Sequence, residues 1–295
     1  MRIFVTGASG FIGGSVAASL AAAGHAVRGL VRDPAKAEAV AAHGIGPVIG
    51  SLDDAALLRS EAEAADGVIN AANSDHRAAV EALLAGLAGS GKPFLHSSGT
   101  SVVADLAMGE PSDRIHDEAV PFVPLPDKAD RVAIDRLVLT APGVRSVVLC
   151  NSMIYGEALG PPAASVQIPA LLRQARATGV VRHVGRGLNR WSNVHIADVA
   201  ALYGLALAKA EAGSFLFVES GEESYGNITR ALADRLGLGG PESIAAEDAI
   251  AFWGRGHAVY SLGSNSRVRG HLATERLGWR PRHRSVTDWI ARELS

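Results

Sequence analysis

The feature that most constrains this chain is its first strand-to-helix junction. Ile3 to Thr6 is a short, strand-prone run, Thr6-Gly7-Ala8-Ser9-Gly10-Phe11-Ile12-Gly13 follows at once, and an Ala-rich stretch of helical spacing comes next. Three glycines at this spacing have separate tasks. Gly7 permits a tight turn, Gly10 lets the backbone approach a pyrophosphate, and Gly13 allows close packing of helix on strand. The free N–H groups of the helix N-terminus then face the phosphates. Alone, a three-glycine pattern is weakly specific; here it sits between strand and helix inside a βαβ unit, which is the context the motif requires.

The same alternation runs through the first half of the chain. Ala26 to Val31, Val48 with Ile49, Val68 with Ile69, Phe94 with Leu95, and Val144 to Leu149 read as strands separated by Ala/Leu-rich helical stretches. Continuous apolar strands predict a parallel sheet covered on both faces, hence a doubly wound α/β fold. After Cys150 the rhythm loosens. Residues 157–164 read as a loop, Val166 to Ala177 as a helix, Asn193 to Ala210 as a strand-like turn running into a long apolar helix, and Ser214 to Val218 as a strand returning to the sheet. Helices are expected at about Tyr225 to Leu236, Ser243 to Phe252 and Ser285 to Leu294. The expected organisation is a dinucleotide-binding domain over 1–156, to which 193–220 returns, and a smaller, interleaved C-terminal substrate lobe built from 157–192 and 221–295.

Composition narrows the partners. The 295 residues carry 28 Lys+Arg against 30 Asp+Glu, a net charge of −2, with basic residues scattered. No phosphate-backbone footprint is present, so nucleic acid is not an expected partner. The Ala-rich stretches fall short of the roughly 20 apolar residues a bilayer needs, so no membrane partner is expected. The single cysteine, Cys150, excludes an intramolecular disulfide framework and fits a reducing compartment. No leader pattern opens the chain, and the expectation is a cytoplasmic protein. No His/Cys/Asp set has metal-ligand spacing, so no metal site is expected.

The choice of dinucleotide falls to the end of the second strand, Gly29-Leu30-Val31-Arg32-Asp33-Pro34. An acidic residue there accepts from a ribose 2′-hydroxyl and signals NAD, whereas an arginine clamps the 2′-phosphate of NADP. Asp33 has an ordinary role as the cap of a helix beginning at Pro34. Arg32 has no such role, and NADP(H) is favoured over NAD(H).

Several stretches together carry a family likeness: Thr6 to Gly13, Gly50-Ser-Leu-Asp53, Ala65-Asp-Gly-Val-Ile-Asn-Ala-Ala72, Ser97-Ser-Gly-Thr100, Ile154-Tyr-Gly156 and Trp191-Ser-Asn-Val-His-Ile-Ala-Asp198. On these the chain resembles the extended short-chain dehydrogenase/reductase superfamily, the NAD(P)-dependent epimerase/dehydratase-like group, over nearly its whole length. The resemblance implies a Rossmann-like fold with the cofactor held by Gly7, Ser9, Gly10, Phe11, Ile12, Gly13, Arg32, Leu52, Ala71, Ala72 and Ser97. Ser51 stands where the family's adenine-binding Asp is usual. A homodimer is also implied, through helices at about Asp75 to Gly89 and Asp127 to Thr140.

Members of this group that transfer hydride use a Ser or Thr after the fifth strand, a role Ser98 or Thr100 fits, and a Tyr-x-x-x-Lys pair on the next helix. The Lys lowers the Tyr pKa from about 10 toward neutrality. That pair is missing, which makes this an atypical branch. The four tyrosines are Tyr155, Tyr203, Tyr225 and Tyr260, and alignment of Arg131-Val-Ala-Ile-Asp135 with the family stretch puts Asp127 at the Tyr position and Arg131 at the Lys position. Asp127 and Arg131, four apart on a helix, read most simply as a surface ion pair. Tyr155, after the sixth strand at the ligand-binding edge, is the first candidate for a substitute proton donor. Lys128 reads as a solvated helix-face residue, and His96 and His195 as hydrogen-bonded core histidines. Met153, Trp191, Asn193, the residues Asn265 to Arg267 and the long loop from Val102 to Asp127 are expected to line the substrate pocket. The leading function is an NADP(H)-binding oxidoreductase acting on a small carbonyl or hydroxyl substrate. The alternatives are a non-catalytic NADP-binding redox sensor or partner-binding protein, and third a nucleotide-sugar epimerase- or dehydratase-like enzyme.

Overall fold

The computed structural model describes residues 1–294. Seven parallel strands form the central sheet: β1 (Arg2–Thr6), β2 (Ala26–Val31), β3 (Ile45–Ile49), β4 (Gly67–Asn70), β5 (Pro93–Gly99), β6 (Arg145–Asn151) and β7 (Ser214–Val218). Their spatial order is β3-β2-β1-β4-β5-β6-β7. β1 therefore has β2 on one side and β4 on the other, and the crevice beyond their C-terminal ends is where open α/β folds bind ligands. β1, β4 and β5 are almost wholly buried, which is why they read as continuous apolar runs.

Helices cover both faces. Val16 and Leu20 of α1 (Phe11–Ala22) pack on one face; Leu83 and Leu87 of α2 (Arg77–Leu87) with Ile134 and Val138 of α3 (Ala129–Leu139) pack on the other. On the α1 face lie also Val199 and Tyr203 of α4 (Ile196–Lys209). The fold is the expected Rossmann-like, doubly wound α/β class.

After β6 the chain leaves the main sheet. Met153–Tyr155 pairs with Arg190–His195, which pairs with Gly221–Ser224, in a separate three-stranded sheet. A second core of Met153, Tyr155, Ile168, Leu171, Tyr225, Leu232 and Trp289 forms around it, fed by the helices Gln167–Thr178, Tyr225–Leu236 and Val286–Arg292. The helix expected from Ser243 begins later, at Ala246, because Glu242–Ile244 is taken up as a strand against Arg182–Val184. No helix among the described residues is long and apolar enough to cross a membrane.

The long loop does not cover the ligand-binding end of the sheet, contrary to expectation. His116–Asp117 pairs with Val268–Arg269, and the Glu118 carboxylate accepts from the backbone N–H groups of Phe217, His271 and Leu272 at 2.8–3.0 Å. The loop is thus fastened beside edge strand β7, where Glu118 takes up the outward N–H of Phe217.

Arg145, at the start of β6, ties α4 to the sheet. Its guanidinium donates to the carbonyls of Ala206, Leu207 and Ala210 at 3.3, 2.6 and 2.8 Å, adding donors at the C-terminal end of a helix where only Ala206 of the three already accepts from the cap N–H of Ala210. Arg145→Met is expected to lower unfolding free energy by about 1.5–3 kcal/mol, the range for hydrogen bonds to a charged group. Urea denaturation checks this, and an unchanged midpoint would contradict it.

Candidate active site

The glycine turn is shaped by backbone contact. Gly7 has φ +72°, and a Cβ there would stand 2.7 Å from the Ala71 carbonyl oxygen at the end of β4. A Cβ on Gly13 would overlap the Gly7 carbonyl. Gly10 is the N-cap of α1 in extended conformation, and neither a capping side chain nor an acidic residue in the first turn occupies the helix start. The open N–H groups and dipole of α1 therefore face the β1–β4 crevice with no competing anion, which fits a dinucleotide pyrophosphate.

At the end of β2 the two candidate readers differ. Asp33 Oδ1 accepts from Ala35 N at 3.0 Å and caps the short turn Pro34–Lys36. Arg32 is exposed, and its guanidinium makes no hydrogen bond or ion pair among the described residues. Ser51 Oγ is taken by the N–H of Asp53 at 3.1 Å, and Leu52 packs against the core that contains Leu30 and Leu58.

A cavity of about 590 Å³ opens beside the turn. Of the expected residues it gathers Phe11, Ile12, Ala71, Ala72, Ser97, Ser98, Thr100, Arg131 and Trp191. Its far wall comes from 164–167 and from Gly256, His257, Tyr260 and Ser261, and Lys128 lines it as well. Sequence reasoning missed this wall, since it arises from loop and irregular helix with no motif. Val102 to Asp127 and Asn265 to Arg267 do not line it. Arg267 pairs with Glu222 at 3.0 Å, and Asn265 is held by Asp105.

The hydroxyls on the cavity floor are unequal. Ser97 Oγ lies 2.7 Å from Tyr203 Oη, which also accepts from Asn151 Nδ2 at 3.0 Å. Thr100 is engaged by Ser266, whose Oγ is 2.8 Å from the Thr100 carbonyl and 2.9 Å from its hydroxyl. Ser98 Oγ donates to Asp135 Oδ2 at 2.8 Å. Asp135 is 3% exposed, and burial raises its carboxyl pKa to about 6 against the opposing pull of Ser98 and Arg131. Its signal in the sequence was a carboxylate in the Val-Ala-Ile-Asp-Arg-Leu-Val run, on the same face as Arg131 and Val138.

Residues 3–216 match the pattern of the NAD dependent epimerase/dehydratase family. The chain belongs to that family. It is 32% identical over 331 aligned residues to the oxidase ucsJ of Acremonium sp., covering 95% of this chain and 92% of that protein. It is 30% identical over 239 residues to 4-hydroxy-2-methyl-3-oxo-4-farnesyl-3,4-dihydroquinoline-1-oxide ketoreductase of Stigmatella aurantiaca, covering 75% and 69%. Among solved structures, dTDP-glucose 4,6-dehydratase DesIV of Streptomyces venezuelae superposes with a TM-score of 0.78 at 23% identity, covering 99% and 95% of the two chains. That likeness shows the shared fold.

In this epimerase/dehydratase-family chain, Asp127 and Arg131 do not pair with each other. Arg131 forms a two-pronged bond to Asp75 at 2.7 and 2.5 Å and reaches Ser101 at 3.2 Å. Asp127 instead accepts the Tyr260 hydroxyl from across the cavity mouth. Lys128 is half-buried in the cavity wall, its Nζ 5.0 Å from the Tyr260 ring centre, so it is not the solvated helix-face residue expected. Burial, and then Arg131, lower its pKa from the ordinary lysine value.

Tyr155 does not reach the cavity. It is fully buried in the second core, 5.2 Å from the His195 ring centre and 5.7 Å from that of Trp289, with no hydrogen-bond partner for its hydroxyl among the described residues. The cause is the change of sheet after β6, which turns Met153 and Tyr155 into that core. Met153 and Asn193 are likewise buried outside the cavity. His195 caps α4 by accepting from Ala197 N at 3.2 Å. Burial pushes the Tyr155 phenol above its ordinary pKa, away from acid–base use at neutral pH. Tyr155→Phe removes an unpartnered buried hydroxyl, so stability is expected to stay constant or rise by up to about 1 kcal/mol. Thermal unfolding tests this; a clear loss of stability would show that the hydroxyl has a partner.

Proposed function

We propose that this protein is an NADP(H)-dependent oxidoreductase that interconverts a small, partly apolar carbonyl compound and its alcohol without the Tyr-x-x-x-Lys pair. The observation that carries the reading is the open α1 N-terminus leading directly into a cavity floored by Ser98. The names of two relatives, an oxidase and a ketoreductase, favour redox chemistry on a carbonyl or alcohol. The unpartnered Arg32 guanidinium, beside an Asp33 already committed to capping, favours NADP(H) over NAD(H).

Each residue then has a task. Gly7, Gly10 and Gly13 hold the pyrophosphate against the α1 N-terminus, with Ser9, Phe11, Ile12, Ala71 and Ala72 bordering the crevice and Arg32 meeting the 2′-phosphate. When bound, the nicotinamide supplies or accepts the hydride. Ser98 binds the substrate oxygen, because Thr100 is already engaged by Ser266. The half-buried Lys128 ammonium stabilises negative charge developing on that oxygen. Trp191, Val166 and Tyr260 exclude water. The homodimer, through α2 and α3, and a cytoplasmic location belong to the same proposal.

One observation favours the redox-sensor reading. Arg131 and Asp127 are both committed to other partners, so no conventional donor stands at the family's positions. A nucleotide-sugar substrate is less favoured, since Arg190, Arg267 and Arg269 converge on Glu222 and none of them lines the cavity.

NADPH oxidation across a panel of aldehydes, ketones and quinones is the test. Turnover of at least one compound is expected; tight NADPH binding without any turnover would support the sensor instead. Arg32→Glu should raise the Kd for NADPH by about tenfold or more, the order of one charge-assisted contact, while changing that for NADH by less than about threefold. Equal losses in isothermal titration would contradict the role of Arg32.

A further inference from the structure

We propose that Asp135 is the proton-holding partner of Ser98, so that the Ser98–Asp135 pair delivers the proton that a substrate oxygen in this cavity receives. The proposal rests on the oxidoreductase reading and names the source of the proton that reading requires.

The argument begins with the hydrogen bonds behind the cavity floor. Thr6 Oγ1 donates to Asn70 Oδ1 at 2.6 Å, which leaves the Asn70 amide to donate to His96 Nδ1 at 3.0 Å. That assignment puts the imidazole hydrogen on Nε2, 3.6 Å from Asp135 Oδ1. Burial, and then Arg131, hold the His96 pKa near 4, so the ring is neutral and is not a counter-ion. Asp135 Oδ1 has no hydrogen-bond partner among the described residues. The other charged and titratable groups around Asp135 are Arg131 on its own helix, bound to Asp75 ahead of α2, the buried Cys150 thiol on β6, and Arg136, Asp117 and Glu118, which share a small second cavity with it. Burial holds that thiol well above its ordinary pKa, so it stays protonated. Asp135 is therefore a buried carboxyl with no direct ion-pair partner, in a setting that favours its neutral form.

The state of Asp135 decides what Ser98 presents to the cavity. When Asp135 is ionised, the Ser98 hydrogen is committed to the carboxylate, and the cavity meets only oxygen lone pairs. When Asp135 is protonated, its carboxyl donates to Ser98 Oγ, and the Ser98 hydrogen is free to turn toward a substrate oxygen. In reduction, the carbonyl carbon takes a hydride with its electron pair from the reduced nicotinamide, and the C=O π bond opens. The oxygen takes the Ser98 hydroxyl proton, and the Asp135 proton moves to Ser98 Oγ. Asp135 ends as the carboxylate, the nicotinamide is oxidised, and one proton from water restores the acid; oxidation of an alcohol reverses each transfer. Recharging has its own side. Asp135 also borders a second cavity of about 230 Å³, with Asp117, Glu118 and Arg136 among its lining residues, away from the substrate side of Ser98.

Infrared difference spectra of the ligand-free protein, titrated from about pH 4 to about pH 8, read carboxyl protonation directly. We expect one carboxyl titrating near pH 6, absent in Asp135→Asn and moved to higher pH in Ser98→Ala, which removes the bond that favours the carboxylate. With NADPH and a carbonyl substrate, kcat should fall as pH rises past the same midpoint. Asp135→Asn should lose about 10²-fold in kcat together with that limb, at unchanged NADPH affinity. If no carboxyl titrates above about pH 5, or if Asp135→Asn keeps its rate and pH limb, the proposal is overturned. Should Asp135→Asn fail to fold, the Ser98→Ala spectrum decides, and an unmoved midpoint overturns it. Turnover with an ordinary carboxyl titration defeats the relay alone. A midpoint near 6 in a protein that turns over no carbonyl compound defeats the oxidoreductase reading and the delivery step with it.

Discussion

The turn from β1 into α1 exists only because backbones meet there with no side chain between them. Gly7 lies against the end of β4, and Gly13 lies against Gly7 itself. This contact brings the start of α1 to the place where the sheet order reverses, and it holds the crevice open toward the cavity. The rest of the ligand-binding end follows from it. β4 contributes Ala71 and Ala72 just past its last residue, β5 contributes Ser97 to Gly99 with Thr100 just past it, and α3 backs them with Arg131 and Asp135. A side chain at Gly7 or Gly13 would push α1 from the sheet and close the phosphate cradle at once.

Behind the floor the physics is electrostatic. Thr6, Asn70, His96, Asp135 and Ser98 connect β1, β4, β5 and α3 through the interior. Burying a carboxyl there is costly unless it is protonated or well hydrogen-bonded. Asp135 has one hydrogen bond and a neutral histidine, so its proton is held more tightly in the folded chain than in the unfolded one. Sign follows from that. The folded state binds the extra proton between the unfolded carboxyl pKa and the raised value near 6, so this group's contribution to stability declines as pH rises through that window. Such a cost at neutral pH is the kind of local strain that functional sites carry.

Much of the sheet was legible in the sequence because its central strands β1, β4, β5 and β6 are buried on both faces and are largely apolar. The glycine turn was legible because backbone contact leaves no substitute for glycine at Gly7 and Gly13. The capping role of Asp33 was legible from the Pro34 that follows it. The cavity's far wall could not be read. Val166, His257 and Tyr260 come from loop and irregular helix, where no periodicity marks a direction. Tyr155 misled for a definite reason: a Tyr-Gly pair after the sixth strand looks poised at the ligand edge, yet the chain changes sheet at Met153 and carries the ring into the second core. Lys128 and Asp135 were visible as residues, but only α3 docked on β5 shows that one faces the cavity and the other the floor beneath it.

The central claim is that the cavity floored by Ser98 is where a nicotinamide and a substrate oxygen meet. A crystal structure of the NADPH complex tests it most directly, through the distance from nicotinamide C4 to Ser98 Oγ. The account predicts that C4 lies within about 5 Å of Ser98 Oγ, close enough for an oxygen on the reacting carbon to bond the hydroxyl. A nicotinamide ring more than about 8 Å from Ser98, or one turned toward solvent with the cavity empty of it, would contradict the account.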